Sequence, residues 1–206
     1  MTARWLPVTV TDCVARGPSP EWHGAGRFLA SLRPCASSFH QEGDTRCPAS
    51  RCPPARRPAR LFRFGINLWP PFLFTGIHVT RITPDYRQID VELRLRPWNR
   101  NYVGTHFGGS LFAMTDPFWM LGLLHILGRD YYVWDRAGAI DFLKPGRGIV
   151  RTSFRIDDAL LDELRAEAAS GEKVLRWFSN DVIDESGEVV AQVRKQVYLR
   201  LKPHAR

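Results

Sequence analysis

Residues 101–116 read N-Y-V-G-T-H-F-G-G-S-L-F-A-M-T-D. An Asn, a His and a Gly-Gly pair precede an apolar run, and one Asp sits inside that run. Backbone amides freed by two glycines can face a ligand at a helix start, where the dipole favours developing negative charge. The run continues as F-W-M-L-G-L-L-H-I-L-G and is apolar nearly all round, which predicts a helix over about 108–127 wrapped by the rest of the protein. Gly128 is its natural stop. Asp116, Pro117 and His125 interrupt the run, so it does not read as a membrane span.

Strands dominate on both sides of this helix. In R-Q-I-D-V-E-L-R-L-R, Ile89, Val91, Leu93 and Leu95 alternate with Asp90, Glu92, Arg94 and Arg96, a half-buried strand. Gly76–Thr83 is its plausible partner across the Pro84-Asp85 turn. Further strands are expected at 131–143, 149–156, 173–183 and 188–201, the last two joined by the D-E-S-G hairpin turn. Residues 158–170 read as a surface helix, with Leu160, Leu161, Leu164 and Ala168 on one face and Gly171 beyond its end. The last strand buries Val189, Ala191, Val193, Val197, Leu199 and Leu201 on one face, with Lys195 the exception on it. The segment R-F-G-I-N-L-W-P-P-F-L-F ahead of the strands fits a short helix or an extended lead-in. The pattern is α+β: a curved antiparallel sheet of about five to six strands around one buried helix.

Length and charge bound the rest. The chain has 206 residues, room for one domain with a proper core. Its net charge of +8 is uneven. Residues 1–60 hold 9 Arg against 4 acids, and residues 61–206 hold 20 basic against 17 acidic residues. Residues 1–60 also hold 8 of the 15 prolines and all four cysteines, with no sustained hydrophobic period. They read as a disordered Arg/Pro-rich segment, or an extension set by the choice of start site, and 61–206 as the folded domain. An Arg-rich arm for anionic partners is the other reading. The high pI belongs largely to that segment, so no nucleic-acid partner is expected. The Cys47–Cys52 spacing does not make a zinc site, and no metal is expected. The cysteine-free remainder fits a reducing cytoplasm, no signal-peptide pattern opens the chain, and no membrane partner is expected. P-loop, G-x-G-x-x-G and H-E-x-x-H motifs are absent.

The element order, together with N-x-x-G-T-x-x-G-G-x(6)-D, resembles the hotdog-fold thioesterase superfamily, in particular its phenylacetate-pathway-like acyl-CoA thioesterase branch. The match extends to an uncharacterised hotdog subfamily marked by N-x-N-x-x-G-T-H-F-G-G-S-L-F-A-M-T-D-P, and by V-W-D followed by F-x-K-P-G. It covers about residues 62–202. The branch pattern is N-x-x-G-x-x-H-G-G with an Asp seven residues after the second Gly. Asn101, Gly104, Gly108, Gly109 and Asp116 match, whereas Phe107 stands at the family's histidine position and His106 lies one residue earlier.

The resemblance implies an acyl-CoA or acyl-carrier thioester as substrate, no cofactor beyond the coenzyme A of that substrate, and a homodimer or dimer of dimers. It implies Asp116 as general base or nucleophile and the Gly108 or Gly109 amide as oxyanion donor. Asn101 and His106 would position water or carbonyl, and Gly104 and Phe107 would adjoin the substrate. Phe112, Phe118 and Trp119 would line the acyl chain, and Lys144, Arg147 and Arg151 would meet the phosphates of coenzyme A. A non-catalytic acyl-ligand-binding module is the alternative. Each residue also has a structural reading. Asp116 before Pro117 fits a helix N-cap, Gly108-Gly109 a turn, and His106 a hydrogen-bonded packing residue. Asn101 fits a loop organiser and the basic residues a solvated turn. Asp135 stands on a predicted inner strand without an assigned role.

Overall fold

A computed structural model of the chain describes residues 58–205. The Arg/Pro-rich reading of 1–60 and the cysteines therefore lie outside the described residues, apart from 58–60. Six strands form one antiparallel sheet: β1 (Ile77–Ile82), β2 (Gln88–Arg94), β3 (Tyr131–Phe142), β4 (Ile149–Arg155), β5 (Val174–Ile183) and β6 (Val189–Leu201). Their order in the sheet is β1-β2-β4-β5-β6-β3. The expected alternation decides these elements. On β2, Ile89, Val91 and Leu93 are buried, and on β6 Ala191, Val193, Val197 and Leu199 are. All of them belong to one core cluster.

Two helices precede the sheet, α1 (Ala59–Asn67) and α2 (Pro70–Thr75). Pro70 and Pro71 occupy the first two positions of α2, where a missing N–H costs nothing. Gly76 closes α2 in the left-handed region, at φ 80°. Asn99 Nδ2 then joins the end of α2 to the end of β2, donating to the carbonyls of Thr75 and Arg94 at 2.8 Å each. Helix α1 also closes the outer edge of β1. Asn67 accepts from the Val79 N–H at 2.8 Å and donates to the Val79 carbonyl at 3.1 Å, and Arg63 donates to the Thr80 carbonyl. An edge covered in this way offers no template to another strand. Among the described residues no hydrogen bond reaches the corresponding outer edge of β3.

The apolar run lies against the sheet as the central helix, in two segments: α3 (Gly108–Ala113) and α4 (Phe118–Leu127). The break falls at Met114–Pro117. Proline has no N–H to donate and its ring opposes the carbonyl four residues back, so the first segment cannot run straight through. Gly128 ends α4 at φ 78°. The surface helix α5 (Asp158–Ala168) starts at Asp157, whose carboxylate accepts from the Leu160 N–H at 2.8 Å. It buries Leu161, Leu164 and Ala168. In the β5–β6 hairpin, Asp184 Oδ1 accepts from the N–H groups of Ser186 and Glu188, and Gly187 takes φ 84°.

Two strands depart from their expected facing: at the start of β6 Val190 is buried and Val189 only partly so, and on β2 an acid turns inward. Glu92 reads as a solvent-side residue of β2 but is 5% exposed. Its carboxylate is held by Arg94 at 2.7 Å and by Arg151, opposite it on β4, at 3.8 Å. The arginine stems cover the acid, so the charge is paired and the residue is nonetheless withdrawn.

Candidate functional site

The break between α3 and α4 determines where Asp116 stands. Asp116 is not the N-cap of α4. Pro117 occupies that position and no side chain caps the helix. The Asp116 carboxylate turns instead to Lys195 on β6, with Oδ1 2.5 Å from Nζ. The two partners differ in exposure: the Lys195 side chain is 6% accessible and that of Asp116 is 52%. Lys195 shares its face of β6 with buried Val193 and Val197, so the ammonium rises from the apolar face of the sheet. A buried ammonium requires compensation, and a second carboxylate contributes to it: Asp135 Oδ2 on β3 lies 3.9 Å away.

Asp135 is largely buried, and its Oδ1 has no hydrogen-bond partner among the described residues. Burial pushes its carboxyl up to about 6. The Lys195 charge opposes that rise and the Asp116 charge adds to it. Phe112 on α3 completes the cluster, its ring centroid 5.0 Å from Lys195 Nζ. Gly138 on β3 makes the approach possible. A Cβ there would stand 2.6 Å from Phe112 Cζ and 3.1 Å from Lys195 Cδ. Two acids, one ammonium and one aromatic face thus meet between the helix break and the sheet.

The glycine pair opens α3. Gly108 and Gly109 lie in its first turn, where the N–H groups have no acceptor within the helix. Phe142 lies against Gly108 and Phe107 against Gly109, close enough that a Cβ on either glycine would meet a ring. Phe107 itself is 58% exposed. The aromatic at the family's histidine position therefore covers the second glycine from the solvent side.

The remaining expected residues divide clearly. His106 is 3% exposed, and its Nε2 is 3.1 Å from the Gly148 carbonyl. Its backbone N–H donates to the Gly146 carbonyl at 3.0 Å. Burial lowers its pKa, against the Gly148 carbonyl, so the ring is neutral at physiological pH. It fastens the 144–148 turn and takes the packing role. Asn101 is a loop organiser: its amide donates to Thr105 Oγ1 and to the His106 carbonyl, and its Oδ1 accepts from the N–H groups of Val103 and Thr105. Gly104 serves the same turn at φ 77°. Phe118 is fully buried among Phe72 and Phe154, and Trp119 stacks on Phe178 at 4.4 Å while its indole N–H donates to Asn180. Both are core residues rather than acyl-lining ones. Of the four aromatic residues assigned to the substrate, Phe107 lies against Gly109 and only Phe112 stands at the cluster.

Two of the three basic residues have their charges engaged within the fold. Lys144 is paired with Asp184 at 2.6 Å and with Glu188, and Arg151 with Glu92. Arg147 is exposed and has no ion pair with a described residue. Among the described residues no group of three His, Cys, Asp or Glu is arranged to hold a metal ion. Sequence reading missed Lys195 and Asp135 as site residues. Their signals were a lysine on an otherwise apolar strand face and an acid on an inner strand.

A family model described as a domain of unknown function (DUF4442) matches residues 59–199. A search of curated proteins found no match. Among solved structures, the chain is similar to a Pseudomonas aeruginosa protein of unknown function called a probable thioesterase. The two share 22% identity and a TM-score of 0.62, over 71% of this chain and 97% of that one. It is also similar to a protein of unknown function from Chlorobaculum tepidum TLS, with 16% identity and a TM-score of 0.55 over 70% and 94% of the two chains. A Haemophilus influenzae thioesterase matches at 12% identity and a TM-score of 0.50 over 68% and 90%. At these identities the likenesses establish the fold, which is the hotdog arrangement of a sheet around a central helix.

Proposed function

The chain belongs to the DUF4442 domain family, and from that premise we propose that it is an acyl-CoA thioesterase-like hydrolase acting as a cytoplasmic homodimer. The observation that carries this reading is the Asp116–Lys195 pair: a half-exposed carboxylate held in one orientation by a buried ammonium, beside an aromatic face. The thioester carbonyl would lie against the first-turn amides of Gly108 and Gly109. Asp116 would take a proton from water as the water oxygen bonds to the carbonyl carbon. The oxyanion formed would be met by a glycine N–H, a donor worth about 3 kcal/mol in such sites. Collapse of the adduct would break the carbon–sulfur bond, and the proton on Asp116 would return to the departing thiolate. Direct attack by the carboxylate, through an anhydride that water then opens, uses the same residues.

The outer edge of β3, which no hydrogen bond from the described residues reaches, supports a homodimer, because the free edge of a twelve-residue strand needs a partner. In such a dimer the glycine amides and Asp116 of one cleft would come from different subunits. Arg147, the one of these three basic residues without a carboxylate partner among the described residues, is the candidate contact for coenzyme A phosphate.

A second reading, a non-catalytic module that binds acyl-CoA or another acyl ligand, is favoured by one observation. The only histidine of the motif is turned into the 144–148 turn, and Phe107 stands in its expected place. Hydrolysis of an acyl-CoA panel by the wild type, Asp116→Ala and Asp116→Asn separates the two. Turnover by the wild type that is lost in both variants supports the enzyme. Equal rates in all three would remove Asp116 from the mechanism. Thermal stabilisation by acyl-CoA without turnover would assign the binding module, since a hundredfold excess over Kd is worth about 2.7 kcal/mol.

A further inference from the structure

Helix α1 is apolar on two opposite sides. Ala59, Phe62 and Ile66, spaced i, i+3 and i+7, face the core. Leu61, Phe64 and Leu68 repeat that spacing two residues on, on the opposite side, and are 60%, 63% and 52% exposed. Helix α2 extends the outer face with Leu73 and Phe74, at 52% and 73% exposed, and the connecting Trp69 is 50% exposed. Single exposed apolar residues are ordinary, whereas six along one continuous segment mark a contact surface.

A basic cleft borders this surface. Arg60, Arg63, Thr80, Arg81 and Ile82 line about 380 Å³ between α1 and β1. None of the three arginines forms an ion pair with a described residue. Upstream, the sequence adds Arg51, Arg56 and Arg57 within ten residues of Arg60. An outward apolar helix face flanked by unneutralised arginines is the pattern of a helix lying in a bilayer interface, with aromatic and aliphatic side chains below and guanidinium groups at the phosphates.

Charge decides among possible occupants. Residues 1–60 carry net +5, the same sign as the cleft. A second copy would bring the same arginines to a two-fold interface, like against like. Nucleic acid would use the arginines but leave the apolar residues uncovered. We propose that the α1–α2 face is a peripheral docking surface for an anionic lipid bilayer. This revises the expectation of no membrane partner while leaving the central helix inside the fold. It does not rest on thioester hydrolysis.

The test is sedimentation of the full chain with vesicles of phosphatidylglycerol in phosphatidylcholine and of phosphatidylcholine alone. Binding is expected to be at least roughly tenfold tighter to the anionic vesicles and to weaken as salt screens the surface. Arg60→Gln/Arg81→Gln should lower it roughly twenty-five-fold, at about fivefold per charge. Phe64→Ser/Phe74→Ser should lower it roughly tenfold or more, since the burial of two rings is lost. Unchanged melting curves would show that both variants fold. Equal or absent binding to the two vesicle types would overturn the proposal. So would a halving of the sedimentation-equilibrium mass in the phenylalanine variant with vesicle binding intact, which would make the face an interface between copies. Duplex DNA binding lost in the arginine variant but retained in the phenylalanine variant, without vesicle binding, would assign the face to nucleic acid instead.

Discussion

Lys195 reaches Asp116 across 79 residues of sequence, and the pair joins a buried cation to a half-exposed anion at 2.5 Å. The asymmetry makes the two ends unequal. Removing Asp116 leaves an ammonium in an apolar setting with only Asp135 nearby, whereas removing Lys195 leaves a carboxylate that water can reach. Asp116→Ala is therefore expected to cost about 1–3 kcal/mol, below the 3–5 kcal/mol of a fully buried pair because one partner is solvated. In urea unfolding of the wild type, Asp116→Ala, Lys195→Met and the double variant, a coupling of about 1 kcal/mol is expected. Strict additivity would mean that the pair contributes nothing to the fold.

Asp135 sets a pH dependence of definite sign. Its carboxyl is raised by burial to about 6, so the folded state holds the proton more tightly than the unfolded state. Stability from this group is full below the unfolded value of about 3.9 and is lost as pH rises through about 6. The full rise is worth about 3 kcal/mol, and residual solvent access reduces it. Asp135→Asn should gain about 1–2 kcal/mol at about pH 7.5 and nothing at about pH 3.5. Chemical denaturation of both proteins at the two pH values measures it, and an equal gain at both would point to packing rather than charge.

His106 fastens its turn through one nitrogen while the other, Nδ1, has no hydrogen-bond partner among the described residues. His106→Ala should cost about 2 kcal/mol from the lost Gly148 contact and the space left behind. Turnover per folded molecule should survive it, as it should not in Asp116→Asn. Amide exchange of residues 144–148, measured alongside, should rise in the variant.

Two glycines separate backbone strain from collision. Gly104 and Gly76 both take positive φ, at 77° and 80°. A Cβ at Gly104 meets nothing within 4 Å, whereas at Gly76 it would stand 2.7 Å from Asn99 Nδ2. Gly104→Ala is expected to cost about 1 kcal/mol from backbone strain alone, and Gly76→Ala measurably more, since Asn99 must move and release its carbonyls. Matched thermal unfolding curves give the difference, and equal costs would show that Asn99 yields freely.

Much of this architecture was legible because alternation and turn chemistry are local. The strands of Ile89, Val91 and Leu93 and of Val193, Val197 and Leu199, the Gly128 stop and the Asp184–Gly187 hairpin all follow from neighbours within a few residues. The site was less legible, because its partners are remote. Lys195 stood out on an apolar face, but nothing nearby in sequence names Asp116 and Asp135 as its counter-charges. Helix α4 is apolar on every side, so its pattern does not say which residues meet the sheet, and Phe118 and Trp119 were assigned to substrate when they fill the core. Glu92 alternated correctly and was still withdrawn, since Arg94 and Arg151 close over it.

The strand order carries a consequence for how the molecule comes into being. Among the described residues β3 pairs with β6 alone, and β6 is the last of their strands to be made. During synthesis β3 emerges more than forty residues ahead of β6, the one described strand that holds it. Until β6 docks between β5 and β3, Asp135 has no lysine and Asp116 no anchor. The carboxylates and their cation are thus brought together by the closing event of folding, so a nascent or C-terminally clipped chain would keep the glycine motif intact and still lack a site.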